Sequence, residues 1–316
     1  MRAAAAPLLL LALTGAGPVC DAMWHDAPRN RDVPVRIRLP DGSSRVPVVV
    51  FSPGMGGSIA AGGLWGTAWS DAGIAVVHVQ HPGTGPEVYR DAKDAADRRA
   101  RVAAAASAEQ LAARVGDVGF VVDELGQRRR EGACDLARLD LARLGIAGHS
   151  MGAWVAQAIA GQRFGGVAPY ADRRFIAAIG ISPSLLTRDD PAASLGAITI
   201  PFFVITGSED GAPRPRKDED ATSLAARRAR ALADRTAPYE AMPPGSKYLL
   251  VIKGADHMAL AGNTPRATAF PGVATGGVAA TTAFWGAALL NRQDEKALLQ
   301  KGLKASLPPG DRFEMK

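Results

Sequence analysis

The amino-acid sequence predicts an α/β fold, with a mostly parallel central sheet covered by helices on both faces. Short apolar runs suit strands that are buried on both faces, and longer stretches with helical spacing alternate with them. Loops rich in glycine, proline and serine follow the runs. The chain has 316 residues, of which 47% are hydrophobic, and this suffices for one large domain or two small ones. It contains no internal repeat.

The expected strands are recognised by their apolar patterns. Residues 33–39 alternate apolar and polar side chains, as in a half-exposed strand, and a turn at 41–44 leads to the solid apolar run 47–51. The remaining expected strands are also apolar runs: 73–79, 144–147, 175–181, 200–206 and, as the last strand, 248–253.

The expected helices lie between these runs. They cover residues 64–72, one or two helices within 87–125, and then 151–159, 218–233, 281–290 and 294–302. Residues 24–31 and 263–277 are expected to be loops because of their polar, proline and glycine content. The sequence leaves open whether residues 86–119 form a lid.

The N-terminus has the pattern of a secretory signal. Arg2 supplies a positive charge, residues 3–13 form an apolar core that is too short to span a bilayer, and small residues follow. We expect cleavage between residues 16 and 22, which makes residues 1–22 the signal and residues 23–316 a single secreted or periplasmic domain. A lipoprotein anchor at Cys20 is less favoured, because Val19 is bulky for that cleavage. No later stretch is apolar enough for integral membrane association.

Cysteine and charge content narrow the expected partners. Cys134 is a lone structural thiol if Cys20 leaves with the signal, and a single disulfide is conceivable if Cys20 stays. The net charge of +6 is scattered over arginines, and aromatic residues make up 6% of the chain. A nucleic-acid surface would need clustered basic and aromatic residues, so we expect no nucleic-acid partner. No Cys/His cluster has metal-ligand spacing, so no metal or cofactor is expected.

One stretch organises the expected chemistry: a short apolar run, the turn Gly148-x-Ser150-x-Gly152, and the start of a helix. This is the nucleophile-elbow pattern, in which a serine on a sharp strand-to-helix turn has a strained backbone and an exposed hydroxyl. Strand and helix approach so closely that only glycine fits at the flanking positions. We therefore predict that Ser150 is a nucleophile, against the alternative of an ordinary Gly-Ser turn.

A serine nucleophile needs a base, and the base needs an orienting acid. Of the five histidines, only His257 follows Ser150 with room for an acid between them, and it comes directly after the last expected strand. Asp210 follows strand 200–206 and is the preferred acid, since catalytic groups gather beyond the carboxyl ends of such strands. Glu209 is its close rival, and Asp189 is a more distant one.

The same reasoning predicts two backbone N–H donors for a developing oxyanion. Met151, directly after the nucleophile, should supply one, and Met55 in the glycine-rich loop after residues 47–51 should supply the other. Gly54 in that loop and His81 are possible pocket residues. His78 is expected to pack within its strand.

Together these motifs resemble the α/β-hydrolases. They are most similar to the secreted bacterial group labelled predicted dienelactone hydrolases, which is related to platelet-activating-factor acetylhydrolases, chlorophyllases and cutinase-type polyester hydrolases. The resemblance covers nearly the whole chain after the signal, and implies the α/β-hydrolase fold with a Ser–His–Asp triad. The matching stretches, in order, are 29–35, 50–58, 78–83, 148–152, 206–210 and 254–258.

Three departures from these relatives bear on the anchoring of the loop after residues 47–51, on the substrate and on the choice of acid. Ser52-Pro53-Gly54 stands where the family's loops usually read Ser-His-Gly. Dienelactone hydrolases proper use a cysteine nucleophile, and Ser150 argues against their substrate. Platelet-activating-factor acetylhydrolases carry the acid one strand earlier, where residues 181–184 contain none.

The expected function is therefore that of a secreted serine esterase, which cleaves small-molecule or lipid carboxylic esters through an acyl-enzyme. The alternatives are a lipid esterase similar to the platelet-activating-factor acetylhydrolases, an acyltransferase that uses the same triad, and a non-catalytic binding protein on the same scaffold. The sequence leaves open the acyl group, the alcohol and the oligomeric state.

Overall fold

The computed structural model describes residues 17–186, 189–263 and 265–316. Its strands are β1 Val19–Asp26, β2 Arg31–Arg38, β3 Val46–Ser52, β4 Ala75–Val79, β5 Arg130–Glu131, β6 Cys134–Asp135, β7 Leu139–His149, β8 Phe175–Ile181, β9 Phe202–Glu209, β10 Lys247–Asp256 and β11 Arg312–Met315.

The helices fall between these strands. They are α1 Gly63–Asp71, α2 Glu87–Arg90, α3 Ala95–Ala105, α4 Ala108–Gln127, α5 Met151–Ile159, α6 Pro191–Leu195, α7 Ala221–Ala241, α8 His257–Leu260, α9 Val278–Leu289, α10 Gln293–Ala297 and α11 Leu303–Ser306. Short 3₁₀ turns cover Leu136–Arg138 and Ala267–Ala269, and π-helical turns cover Gly272–Gly277 and Leu298–Gly302.

The main sheet has the strand order β1-β2-β4-β3-β7-β8-β9-β10-β11. Neighbouring strands from β4 through β10 in this order pair in parallel. The edge strands β1, β2 and β11 pair antiparallel. The carboxyl ends of the parallel strands therefore lie along one edge, where the loops after β3, β7, β8, β9 and β10 come together.

Both faces of the sheet are covered by helices, and the central strands β3 and β4 are buried at every position. In β3, Val48 and Val50 join the core cluster under α4 and α5, while Val49 and Phe51 join the cluster under α1 and α9. The alternation follows from the two-residue period of a strand. The predicted α/β class, with a mostly parallel sheet and helices on both faces, is confirmed.

The sequence prediction is wrong at both edges of the sheet. Residues 24–31 were expected to form a loop, but only residues 27–30 form a turn. Residues 24–26 belong to β1, which pairs antiparallel with β2. Exposed and buried residues alternate along β1, but Trp24 is its one large buried side chain. The apolar pattern of the sequence is therefore too weak to predict a strand. Residues 248–253 are not the last strand, because β11 adds to β10 at the opposite edge. The predicted loop 263–277 contains a 3₁₀ turn at Ala267–Ala269 and a π-helical turn at Gly272–Gly277.

The first strand includes the end of the expected signal, since residues 19–22 lie in β1 and pair with β2. Cys20 in β1 forms a disulfide with Cys134 in β6, which is the second of the two alternatives that the sequence left open. A cleavage that keeps β1 intact must fall before Val19. The apolar core of the expected signal, residues 3–13, lies outside the described residues.

Candidate active site

Ser150 lies on the tight turn between β7 and α5, with φ 55° and ψ −116°. Its N–H donates to the carbonyl of Ile181, with an N···O distance of 2.9 Å. A Cβ on Gly148 would lie 2.0 Å from the Gly152 carbonyl oxygen, and one on Gly152 would lie 1.8 Å from the Ser52 carbonyl oxygen. The strained serine and the two obligatory glycines have the geometry that the sequence pattern predicts.

The structure brings Ser150, His257 and Asp210 together at the carboxyl edge of the sheet. The Ser150 hydroxyl lies 3.0 Å from His257 Nε2, and His257 Nδ1 lies 2.8 Å from Asp210 Oδ1. In the matching tautomer, Nδ1–H donates to the carboxylate and Nε2 accepts from the hydroxyl. His257 begins α8 directly after β10, and Asp210 directly follows β9.

The Asp210 carboxylate is buried and remains ionised. Burial by itself raises the pKa of this carboxyl, but hydrogen bonding with His257, the charge of Arg235 and hydrogen bonding with Ser182 together lower it below its ordinary value. Thr206 donates a further hydrogen bond of 2.8 Å to Oδ2. The Arg235 guanidinium, from α7, lies 3.3 Å from Oδ1. A fixed negative charge therefore faces the imidazole of His257.

Ser182 also contacts His257, and sequence reasoning missed it. Its hydroxyl lies 2.7 Å from His257 Nδ1, on the turn that directly follows β8. The residue is fully buried and has a φ of 55°. Its position after a parallel strand at the carboxyl edge was the available signal, but a hydroxyl there, unlike a carboxylate, does not indicate an orienting role.

His149, beside the nucleophile, is a second residue that the sequence analysis did not assign. Its Nε2–H donates to the backbone carbonyl of His257 at 3.0 Å, and the two rings lie 4.7 Å apart. Burial and then the neighbouring His257 lower the pKa of His149 to about 3, so this ring is neutral near pH 7. His149 thereby links the end of β7, next to Ser150, to the first residue of α8, His257.

The glycine-rich loop after β3 passes directly beside the nucleophile. A Cβ on Gly54 would lie 3.3 Å from the Ser150 Cβ and 3.1 Å from His149 Nδ1. Within the described chain, neither the Met55 N–H nor the Met151 N–H donates to a protein acceptor. Met151 is the first residue of α5, where a free N–H is expected. Both predicted donors are thus available to a ligand beside Ser150.

His81 does not line the pocket, so this prediction is wrong. The residue is 1% exposed and lies beneath the loop after β3. Its Nδ1–H donates to Asp117 Oδ2 at 3.0 Å, and its Nε2 accepts from the Ser52 hydroxyl at 3.0 Å. Burial, and then the charge of Arg114, lower the pKa of His81 to about 4. His78 is buried as expected, and its Nδ1–H donates to the carbonyl of Ala61 at 2.9 Å.

The buried Ser52–His81–Asp117 array has the atoms of a triad but no access to solvent, since the three residues are at most 1% exposed. Arg31 donates two hydrogen bonds of 2.9 Å to Asp117. Burial by itself raises the pKa of Asp117, but the bonds from His81 and Arg31 lower it to about 2. The hydrogen bonds run from Asp117 through His81 to Ser52, which is the first residue of the Ser-Pro-Gly segment.

Arg114 holds the next residue of the same loop. It lies on α4, is fully buried, and donates to the Pro53 carbonyl and, at 3.3 Å, to the Ser52 hydroxyl. The loop that contains Pro53 is thus held by a buried side chain of α4. Apart from its helical spacing, nothing in the sequence pattern distinguishes Arg114.

A cavity of about 220 Å³ opens beside Ser150 and His257. Gly54 lines it, as predicted, together with the rest of the glycine loop. Tyr89 on α2 reaches it from the segment 86–119, whereas α4 packs against β4, β7 and α5. The cavity wall is otherwise mixed in polarity; its further members are Phe51, Pro53, Met55, Gly56, Gly57, Ala61, His149, Met258, Ala261 and Asn263.

The rival carboxylates have other partners. Glu209 lies 4.0 Å from Arg228, and Asp189 accepts from the backbone N–H of Gly165. The geometry therefore selects Asp210 as the carboxylate that faces His257.

Residues 17–186, 189–263 and 265–316 hold no group of three or more His, Cys, Asp or Glu side chains placed to bind a metal ion. Among the helices of this same part of the chain, none has both the length and the apolarity to cross a membrane. No protein-family model and no curated protein matches the sequence.

Proposed function

We propose that this protein is a serine hydrolase of the α/β-hydrolase type that cleaves carboxylic esters. The observation that carries the proposal is the hydrogen-bonded series Ser150–His257–Asp210, with the serine on a strained turn between strand and helix. The chain order Ser, Asp, His and the glycine-rich loop after β3 support the α/β-hydrolase assignment.

Acylation follows from this geometry. The Ser150 oxygen attacks the ester carbonyl carbon while His257 Nε2 takes the hydroxyl proton. The negative charge on the carbonyl oxygen is held by the N–H groups of Met55 and Met151. His257 then protonates the departing alkoxide, and the acyl group remains on Ser150. Asp210 stabilises the imidazolium that forms in between.

Deacylation reverses these roles with water as the nucleophile. His257 takes a proton from water, the hydroxide attacks the acyl carbonyl, and Ser150 recovers its proton as the carboxylic acid leaves. The cavity of about 220 Å³ is smaller than the roughly 300–1,000 Å³ of common ligand sites. It favours esters with a compact group on the side that enters the cavity.

The Cys20–Cys134 bond supports action outside the cytosol. Disulfides persist in oxidising compartments, such as the extracellular space and the periplasm. We include secretion or periplasmic export, directed by the N-terminal segment, in the proposal.

The first test is reaction of the purified protein with a fluorophosphonate probe and with short-chain nitrophenyl esters. We expect the wild type to be labelled and to hydrolyse the esters, and Ser150→Ala to lose both, with turnover reduced by about 10⁶. Ser43→Ala, in an exposed turn, is the matched control.

Two outcomes would overturn the proposal. Equal hydrolysis by wild type and Ser150→Ala would remove Ser150 as the nucleophile. A wild type that is inert toward both reagents would indicate a binding protein on a hydrolase scaffold. Adding an alcohol and measuring how the product divides between acid and new ester separates hydrolysis from acyl transfer.

A further inference from the structure

We propose that Ser182 is a positioning residue, which holds the imidazole of His257 in its working tautomer together with Asp210. The inference rests on the proposed serine hydrolysis and adds a fourth side chain to its machinery. The observation behind it is that His257 Nδ1 lies within hydrogen-bond distance of two buried oxygens, Ser182 Oγ at 2.7 Å and Asp210 Oδ1 at 2.8 Å.

The hydrogen-bond chemistry of these three groups is complementary. Nδ1 carries one hydrogen, and both oxygens can accept it in a three-centre bond. When the Ser182 hydroxyl hydrogen points to the Asp210 carboxylate, its oxygen presents a lone pair to Nδ1, and hydrogen bonding with Ser182 is one of the causes that lower the Asp210 pKa. A proton on Nε2 instead would leave the lone pair of Nδ1 facing a carboxylate. Ser182 therefore adds to the preference for a proton on Nδ1.

The backbone at Ser182 is built to hold this contact. The residue has a φ of 55°, a conformation that a non-glycine residue adopts at a cost, and its N–H donates to the Ile205 carbonyl at 2.6 Å. Arg235 donates to the carbonyls of Ser182 and Pro183 at 3.3 Å each, and its Nε lies 3.3 Å from Asp210 Oδ1. One guanidinium thus ties the turn after β8 to the carboxylate after β9.

The first test removes the hydroxyl without straining the turn. Glycine adopts a positive φ freely, so Ser182→Gly should fold, and we expect kcat to fall about tenfold with KM unchanged. Ser184→Ala is the matched control, because Ser184 lies on the same turn but its hydroxyl accepts from Trp154 rather than from the His257 ring. Its kcat should equal that of the wild type.

A double-mutant cycle separates positioning from general support of the fold. If Ser182 acts through the His257–Asp210 pair, Ser182→Gly should cost much less than tenfold in an Asp210→Asn background, where the tautomer is already lost. A merely structural role would cost the same factor in both backgrounds. Equal factors, or an unchanged kcat for Ser182→Gly alone, would overturn the inference.

An exchange variant tests the geometry directly. Asp210→Ser removes the carboxylate, and Ser182→Asp supplies one on the other side of the same nitrogen; aspartate tolerates a positive φ better than most residues. We expect the exchanged protein to be at least tenfold more active than Asp210→Ser alone. Loss of activity in Ser150→Ala and Asp210→Asn, with full activity in Ser182→Gly, would reject this inference and leave the proposed hydrolysis standing.

Discussion

At the scale of single residues, the sharpest question is which carboxylate orients His257. Asp210→Asn keeps the shape of the side chain but offers an amide to Nδ1, so the wrong tautomer becomes favoured. We expect kcat to fall by about 10⁴ with little change in folding stability, measured on nitrophenyl esters.

Glu209→Gln is the matched control for this change. It alters the neighbouring residue in the same way, but Glu209 faces Arg228 rather than His257. Its turnover should equal that of the wild type. If Glu209→Gln were the damaging change, the assignment of the acid would be reversed.

The three proposed catalytic residues could be predicted from the sequence because each follows a strongly apolar strand that ends at the same edge of the sheet. Ser182 follows such a strand as well, but a serine outside an elbow carries no chemical signature of its own. Arg235 and Arg114 lie within helices, where an arginine is normally a solvated surface residue. Only the tertiary packing turns them towards Asp210 and the Pro53 carbonyl.

At the scale of elements, the loop after β3 depends on support from β4 and α4. His81→Ala leaves the Ser52 O–H without its buried acceptor and removes one of the donors to Asp117, which should cost about 1–3 kcal/mol of unfolding free energy. Because Ser52 begins the loop that carries Met55, the oxyanion donor should also shift. We expect kcat to fall by about 10- to 100-fold with KM nearly constant.

Two measurements distinguish loop anchoring from simple loss of stability. Urea unfolding gives the free-energy change, and kinetics at a temperature where the variant is fully folded give kcat and KM. A destabilised His81→Ala protein with wild-type kcat would show that the buried array supports the fold but does not position the loop.

At the scale of the whole molecule, the centre of the sheet was predictable and its edges were not. Strand β3 is apolar at every position except Ser52, so its burial can be predicted from composition alone. The edge strands β1 and β11 expose one side and mix polar residues into short segments, which resemble loops. Because Cys20 lies in β1, the Cys20–Cys134 disulfide could not be predicted without predicting that strand.

Buried histidines make the stability of the whole molecule dependent on pH. Burial is the largest cause that lowers the pKa values of His78, His81 and His149, to about 3, 4 and 3 respectively. These values lie below the roughly 6.5 of an unfolded chain, so between about pH 6.5 and pH 4 the unfolded state binds more protons. The free energy of unfolding should fall as pH falls through this window, by up to about 1.4 kcal/mol per pH unit for each histidine.

Urea unfolding at about pH 7 and about pH 5 measures this slope. His78→Asn is a useful comparison, because asparagine can still donate to the Ala61 carbonyl but cannot take up a proton. Its slope should be smaller than that of the wild type by up to about 1.4 kcal/mol per pH unit. Equal stability at both pH values would contradict the prediction.

The disulfide links the first strand to a ribbon 114 residues away in the sequence. Closing a loop of roughly 100 residues restricts the unfolded chain and stabilises the fold by about 4.7 kcal/mol on the entropic model, within a usual range of about 2–5 kcal/mol. We expect a Cys20→Ser/Cys134→Ser variant to lose free energy of unfolding in that range, measured by urea titration. The wild type with a reductant should match it, and the variant itself should not respond to the reductant.

Because the bond lies at the β1 edge, while Ser150, His257 and Asp210 follow central strands, kcat at temperatures where the variant stays folded should be unchanged. An unchanged urea midpoint would mean that β1 is held by its pairing with β2 alone.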